Sequence, residues 1–339
     1  MKFAFIADIH LSRYGQDKIE DKSNLPERLF SIRSALCEVA DYCSKNDIPT
    51  IIIGGDLLHG KSVIYAIAQD LMIDYFDKYP NIEFIVIDGN HDLSGKGTNV
   101  VSALRTLNYI PNITWVGHDT IFKNNNILCV PYSYEVPKVV KDNESEILIS
   151  HFGLNEGVLN SGLSIIADIA LKDLVGKYKL VLLGHYHKPQ EIIRPEISLY
   201  YVGSLIQLDW GEKGDEKRFL VIDSDTLDVQ SIPIKKYKKH IEIEITEENK
   251  DEVIDIVKQA KEDGNHIKVI MKEKVDLTSV KGEFNIVDKT ERDITDRGIS
   301  SSMSQSDIFM RYLEVKGIPK DQIDDYFNVA RNIINSCEM

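Results

Sequence analysis

Cysteine is scarce in this chain, long apolar runs are missing, and positive charge falls short of negative. The four cysteines, Cys37, Cys43, Cys129 and Cys337, are spaced neither as a disulfide framework nor as a Cys-x-x-Cys metal site. That excludes a cystine-stapled scaffold and points to a reducing, cytoplasmic setting. No stretch approaches the roughly 20 apolar residues of a membrane span, so no membrane partner is expected. Residues 1–7 are apolar for too short a run to be a signal peptide and lead directly into Asp8 and His10, so they read as a strand. With 40 Lys and Arg against 54 Asp and Glu, the formal charge is −14. This balance argues against tight, unaided binding of nucleic acid by counterion release. It leaves room for a site where bound cations and a partner subunit meet phosphates, because divalent ions are often the largest local charges.

At 339 residues the chain is long enough for more than one domain. Apolar strand-like runs at 2–7, 48–53 and 83–88 alternate with helical patterns at 26–45 and 63–78, the rhythm of a sheet with helices laid over it. A helix is expected over 101–107. Strands are expected at 113–116, 120–122 and 127–130, with the turn at Asn124-Asn125-Asn126, and further strands at 146–150 and 180–183. Runs at 199–203 and 218–223 read as parts of a second sheet. The cluster Lys235-Lys-Tyr-Lys-Lys239 is either a solvated hinge or a strip that contacts phosphate. Beyond it, strands at 241–246, 266–271 and 284–287 and an acidic helix at 248–263 make a small α+β unit with faces too polar for a large core. The expected division is a domain at 1–235, a cap at 236–292, a linker at 293–306 and a helical pair at 307–339, broken at Pro319. Such a pair either folds back as structure or clamps a partner's groove with its apolar faces.

The chemistry-bearing residues stand just after the strand-like runs. Ile51-Ile-Ile-Gly-Gly-Asp56 delivers a carboxylate to a strand's carboxyl end, where open α/β sheets form ligand crevices. Alone, Asp56 reads equally well as a turn or helix-cap residue. Its company decides otherwise. Asp8 and His10 lie two apart on an extended backbone and share a side. His10, His59, His91, His151, His185 and His187 make six of the nine histidines, all in equivalent loops. With Asp8, Asp56 and Asn90 they offer two metal ions a mixed nitrogen and oxygen shell, with Asp56 as the natural bridge. Two ions roughly 3.5 to 4 Å apart clamp both the attacking and the leaving oxygens of a phosphoryl displacement, so no Ser or Cys nucleophile is needed. The donor set suits manganese, iron or zinc better than magnesium alone. Asn90 and His91 are adjacent and are expected to point apart, which leaves His91 free as a general acid or a transition-state donor. Asp92 either orients His91 from behind or caps the next segment.

Taken together, Asp8-x-His10, Gly55-Asp56, Gly89-Asn-His-Asp92, His151 and Gly184-His-x-His187 resemble the calcineurin-like metallophosphoesterases. The implied fold is α/β, a four-layer α-β-β-α sandwich with a small α+β cap and a C-terminal helical pair. Gly55-Asp-Leu-Leu-His59, Tyr201-Val-Gly-Ser204, Gly211-Glu212 and Glu216-Lys217, with the domain order, are similar to the DNA repair nucleases of the SbcD and meiotic recombination eleven family, in the compact form of the T-even phage subunit. That likeness implies one ion on Asp8, His10, Asp56 and His187 and another on Asp56, Asn90, His151 and His185, with His91 catalytic and His59 positioning the phosphate. It implies manganese as the metal, 3′ to 5′ degradation of duplex DNA, nicking of single strands and hairpins, and a homodimer joined to an SMC-like ATPase of the SbcC type through the terminal helices. The ATPase would then supply much of the DNA-binding surface that the acidic balance withholds. Protein phosphatases of the superfamily usually continue Gly-Asp with an acidic-arginine-glycine run, where this chain has Leu57-Leu-His59-Gly-Lys61. A small-molecule or cyclic-nucleotide phosphodiesterase would use the same ions in a narrower pocket, and a metal-free scaffold would leave the ligand set without a purpose.

Overall fold

The structure is a computed structural model that describes residues 1–14, 19, 24–95, 99–133, 135–162, 166–275, 285–288, 305–319, 322–323 and 325–326. It opens with β1 (Lys2–Ile6), α1 (Glu27–Lys45), β2 (Thr50–Ile53), α2 (Ala66–Lys78) and β3 (Glu83–Ile87). Pro26 precedes α1 with φ −53, while Glu27 in its first turn and Lys45 in its last complement the helix dipole. A short hairpin of β4 (Leu93–Ser94) and β5 (Val101–Ser102) leads into a 3-10 helix at Ala103–Tyr109. There follow β6 (Ile113–Val116), β7 (Phe122–Asn124), β8 (Ile127–Val130), α3 (Val136–Asp142), β9 (Ile147–His151), β10 (Leu180–Gly184), β11 (Gln190–Arg194), β12 (Ile197–Tyr201), β13 (Arg218–Asp223) and β14 (Asp228–Pro233).

These strands make two six-stranded sheets, ordered β14-β13-β1-β2-β3-β6 and β11-β12-β10-β9-β8-β7. Strands β1, β2, β3 and β6 are parallel, as are β12, β10, β9 and β8, and antiparallel strands close the edges. The central runs are buried on both sides, yet alternation still sorts their side chains into layers. Ala4, Ile6, Ile51 and Ile53 join a core with Leu29, Leu36 and Val39 of α1 and Leu71 and Phe76 of α2. Phe3, Phe5 and Ile52 face the opposite way, into a core shared with Ile147, Ile149, Leu180 and Leu182 of the other sheet. Val181 and Leu183 point outward again, toward Val136 and Val140 of α3. The result is a mixed α/β sandwich of four layers.

Two expectations need correction. Residues 101–107 are a strand end followed by a 3-10 turn, because Ser102 accepts from Leu104 N at 3.1 Å and caps the turn. The buried pair Leu104 and Leu107 has an i, i+3 spacing that α and 3-10 helices share. The run at 218–223 joins the first sheet: β13 pairs with β1, Phe5 opposite Leu220. Helix α3 and the edge strands β11 and β14 were not foreseen; β11 and β14 are mostly exposed and carry little apolar pattern.

The chain divides into two compact units, one of Met1–Glu242 with Asp255–Lys268, the other of Ile243–Ile254 with Val269–Met339. A three-stranded sheet contains β15 (His240–Ile245), β16 (His266–Met271) and β17 (Asn285–Asp288), with α4 (Lys250–Glu262) between the first two in sequence. Val253, Ile254, Val257 and Ala260 are the buried stripe of α4. The last described helix is α5 (Gln305–Val315), which takes in the last two residues of the expected linker. Most of that linker and most of the second terminal helix lie outside the described residues. In the lysine cluster, the backbone of Lys235 and Lys236 donates to Glu38 Oε2, and Lys238 Nζ lies 2.6 Å from Glu27 Oε1, so this run is tied to α1.

Candidate metal centre

Five strands deliver their following loops to one place: β1 brings Asp8 and His10, β2 Asp56 and His59, β3 Asn90, His91 and Asp92, while β9 ends on His151 and β10 leads to His185 and His187. The loops are laced by backbone bonds, with Asp8 N donating to Gly55 O at 3.1 Å and Ile9 N and His10 N to Asp56 O at 2.9 Å. Asp8, His10 and Asp56 sit at φ 53, 55 and 53, and His185 at φ 103. Each such position costs on the order of 1 kcal/mol or more and persists where the surroundings over-determine it. Gly89 is required by close approach, since a Cβ there would lie 2.2 Å from both Asp56 N and Asp56 Oδ1.

The ligand atoms are in reach of one another. Asp8, His10 and His187 bring donor atoms within 4.8 Å of each other, and so do Asp8, Asp56 and His151, and His10, His59 and His91. Asp56 Oδ2 lies 3.6 Å from His10 Nε2 and 3.4 Å from His151 Nε2, between the two rings. Asn90 Oδ1 is 3.1 Å from His151 Nε2 and 3.0 Å from His185 Nδ1. His10 Nε2 faces His187 Nε2 at 3.0 Å. The far nitrogens are held: His187 Nδ1 is 2.8 Å from Glu212 Oε1, and His151 Nδ1 is 2.8 Å from the Gly54 carbonyl. Metal-binding imidazoles are almost always tied in this way through their second nitrogen. Buried carboxylates, an amide oxygen and oriented imidazoles therefore fit two divalent cations.

Burial and charge set the protonation of these groups. Burial pushes His10 well below its usual range and His185 down to about 4, so both offer lone pairs. Burial would also lower His151, but the Asp56 carboxylate beside it outweighs this and holds the ring at about 9. Burial raises Asp8, and it would raise Asp56 too were His151 not pulling that carboxyl below the usual carboxylate range. To hold a cation His151 would have to give up that proton, because a ligating imidazole must be neutral.

His59 and His91 lie on the open side of His10. Their rings stack at 5.1 Å and 14°, and His59 Nδ1 is 3.1 Å from His10 Nδ1. His91 N donates to Asp56 Oδ1 at 2.7 Å, and its Nδ1 lies 3.1 Å from the His59 carbonyl. Asp92 does not stand behind His91. Its buried carboxylate accepts from Leu57 N, Leu58 N and Gly89 N at 3.3, 2.8 and 2.9 Å, so it joins the β2 and β3 loops, and a backbone carbonyl faces His91 instead. Glu212, Ser204 and Lys217 support the site from behind, and their only signal in the sequence is the Gly203-Ser204, Gly211-Glu212 and Glu216-Lys217 pairs of the family likeness. A cleft of about 1670 Å³ runs from Asn90 past Lys61, Ser94, Arg105, His118 and Tyr132. No described helix is long and apolar enough to cross a membrane.

The phosphoesterase 244L of Invertebrate iridescent virus 6 is 26% identical over 191 residues, a match that covers 53% of this chain and 66% of that relative. Among solved structures, a nuclease of Pseudomonas putida is 14% identical, with 68% of this chain and 87% of that one covered at a TM-score of 0.33. A dimetal phosphatase from Danio rerio is 11% identical, with 69% and 99% covered at a TM-score of 0.40. The family model of the calcineurin-like phosphoesterases matches residues 1–189. That is more than half of the sequence and includes every strand-end loop of the centre, so the chain belongs to the calcineurin-like phosphoesterases and is a metal-dependent phosphoester hydrolase.

Proposed function

We propose that this hydrolase is a two-metal DNA nuclease subunit, a 3′ to 5′ exonuclease on duplex DNA and an endonuclease on single strands, working with an SMC-like ATPase in recombination and double-strand-break repair. The observation that carries this reading is the cleft. At about 1670 Å³ it exceeds the roughly 300 to 1,000 Å³ of ordinary small-molecule pockets, and it leads away from Asn90 at the edge of the ligand cluster. An extended phosphodiester strand suits such a groove better than a cyclic nucleotide does.

In this reading Asp8, His10, Asp56 and His187 hold one ion, and Asp56, Asn90, His151 and His185 the other. Bound there, two ions of manganese type would stabilise the charge that develops on the scissile phosphate. His91 gives a proton to the leaving oxygen from the open side. His59, stacked on His91, steadies the phosphate, and Asp92 keeps the Asp56 and Gly89 loops in register. The ATPase docks on the terminal helices, of which α5 exposes Met310 and Tyr312, and the nuclease pairs with a second copy in the complex.

The test is hydrolysis of duplex, single-stranded and hairpin DNA across Mn²⁺, Mg²⁺, Fe²⁺ and Zn²⁺, with bis(p-nitrophenyl) phosphate as a small diester. Degradation of DNA with Mn²⁺, strengthened by the ATPase and ATP, is expected. Turnover of the small diester with no action on any DNA would end the nuclease reading while leaving the hydrolase in place. Deleting residues 307–339 should spare single-strand nicking and release the ATPase; co-purification that survives the deletion would remove the docking role.

A further inference from the structure

Lys217 and Glu212 form an ion pair with almost no solvent contact, the two side chains being 0% and 3% exposed at 2.8 Å separation. Burying two charges costs several kcal/mol in desolvation, and apolar residues of similar volume are often as good or better for stability. A pair kept in such a place calls for another reason, and its hydrogen bonds supply one. Glu212 Oε1 lies 2.8 Å from His187 Nδ1, and Lys217 Nζ donates at 3.0 Å to the His187 carbonyl. One ion pair thus grips a single histidine by ring and backbone. The remaining capacity is used locally: Glu212 Oε2 accepts from Ser204 Oγ at 2.7 Å and Leu208 N at 3.1 Å, and Lys217 Nζ donates to Ser204 Oγ at 2.9 Å, with Asp215 Oδ2 at 3.5 Å.

We infer that Glu212 and Lys217 are positioning residues that fix His187 with its proton on Nδ1 and its Nε2 lone pair turned toward Asp8 and His10. This rests on the reading of His187 as a metal ligand. The carboxylate accepts only if the proton is on Nδ1, and in the neutral ring that leaves the Nε2 lone pair free to bind a cation beside the Asp8 and His10 atoms within 4.8 Å. Lys217 keeps the carboxylate aimed at the ring. The strand that follows Lys217, β13, pairs directly with β1, the strand that leads into Asp8 and His10, so both halves of the arrangement are built on one ladder.

The experiment uses the full chain and Zn²⁺ alone as probe. In the Zn²⁺-loaded wild type, long-range ¹H–¹⁵N spectra should show His187 protonated at Nδ1; protonation at Nε2 overturns the inference, and this readout needs no variant to fold. In Glu212→Gln, shown to be folded by circular dichroism, calorimetric titration should find one of two Zn²⁺ sites weakened about tenfold to a hundredfold and the other unchanged. Two sites of unchanged affinity would also overturn it. A wild type that takes up fewer than two ions sinks the two-metal reading itself, which separates the two failures.

Discussion

His91 is the residue whose chemistry the arrangement leaves most open, because its ring stacks on His59 with only Nδ1 held, at the His59 carbonyl, and its backbone, not its side chain, meets Asp56. Replacing it with alanine should lower phosphodiester hydrolysis by about 10² to 10⁴-fold. Metal stoichiometry by calorimetry should stay at the wild-type value, and an unchanged rate would remove His91 from the acid role. Gly89→Ala makes the complementary test. Its Cβ would fall 2.2 Å from Asp56 N and Oδ1, so the β3 loop or Asp56 must shift, and the cost of such overpacking is typically about 1 to 3 kcal/mol. Lower unfolding free energy in urea together with weaker Mn²⁺ binding is expected; wild-type values in both would show that the loop has room. The strand-end Asp, Asn and His residues were legible in the sequence because they follow apolar runs directly, so local order alone puts them at a sheet edge. Asp92 was not: its neighbour in sequence is His91, yet besides Gly89 its partners are amides at Leu57 and Leu58, 35 and 34 positions away.

Among the elements, β1 carries the largest structural demand. It sits between β13 and β2 and faces both the helix-side core and the core between the sheets. Phe5 is fully buried in the latter, and Phe5→Ala should cost about 3 to 5 kcal/mol in urea unfolding. A loss below 1 kcal/mol would mean that the two sheets close over the gap. The β-branched and apolar density of β1, β2, β3, β9 and β10 made these strands readable, as did the i, i+3, i+4 stripes of α1 and α2. The polar edge strands β11 and β14 escaped because half-exposed strands at a sheet border need few apolar residues. Which sheet β13 joins was beyond reach for a different reason. A strand's sequence states which faces are buried, while its partner is chosen by the whole set of strands competing for that edge.

For the whole molecule, pH and metal act on stability in opposite directions. His240 packs between Trp210 and His266, at ring distances of 4.9 and 4.8 Å. Burial, aided by His266, pushes it from 6.5 down to about 4. A histidine depressed in the folded state contributes stability that is fully present above its unfolded value and lost as pH falls toward its folded value. Stability should therefore decline from pH 6.5 to about 4, by less than the ~1.4 kcal/mol per pH unit that one full proton gives, since His240 is partly exposed. Urea unfolding at several pH values should show a flatter decline in His240→Gln, and an identical slope would clear His240 of the effect. Divalent metal acts in the other direction: at about 100 times its dissociation constant it adds about 2.7 kcal/mol for one site. EDTA-treated protein should melt several degrees lower, and coincident melting curves would count against a metal bound mainly to the folded state.

The order of residues along the chain by itself determined that strands end in Asp, Asn and His, that their donor chemistry suits two divalent cations, and that helices cover a largely parallel sheet. Each of these depends on near neighbours, where a few residues of backbone dictate direction. Tertiary structure alone decided that β13 returns to β1, that Asp92 serves backbone amides instead of His91, and that Lys217 and Glu212 meet behind His187. Those contacts join segments far apart in sequence, and burial without water leaves each such polar group to find its partner only after the sheets have packed.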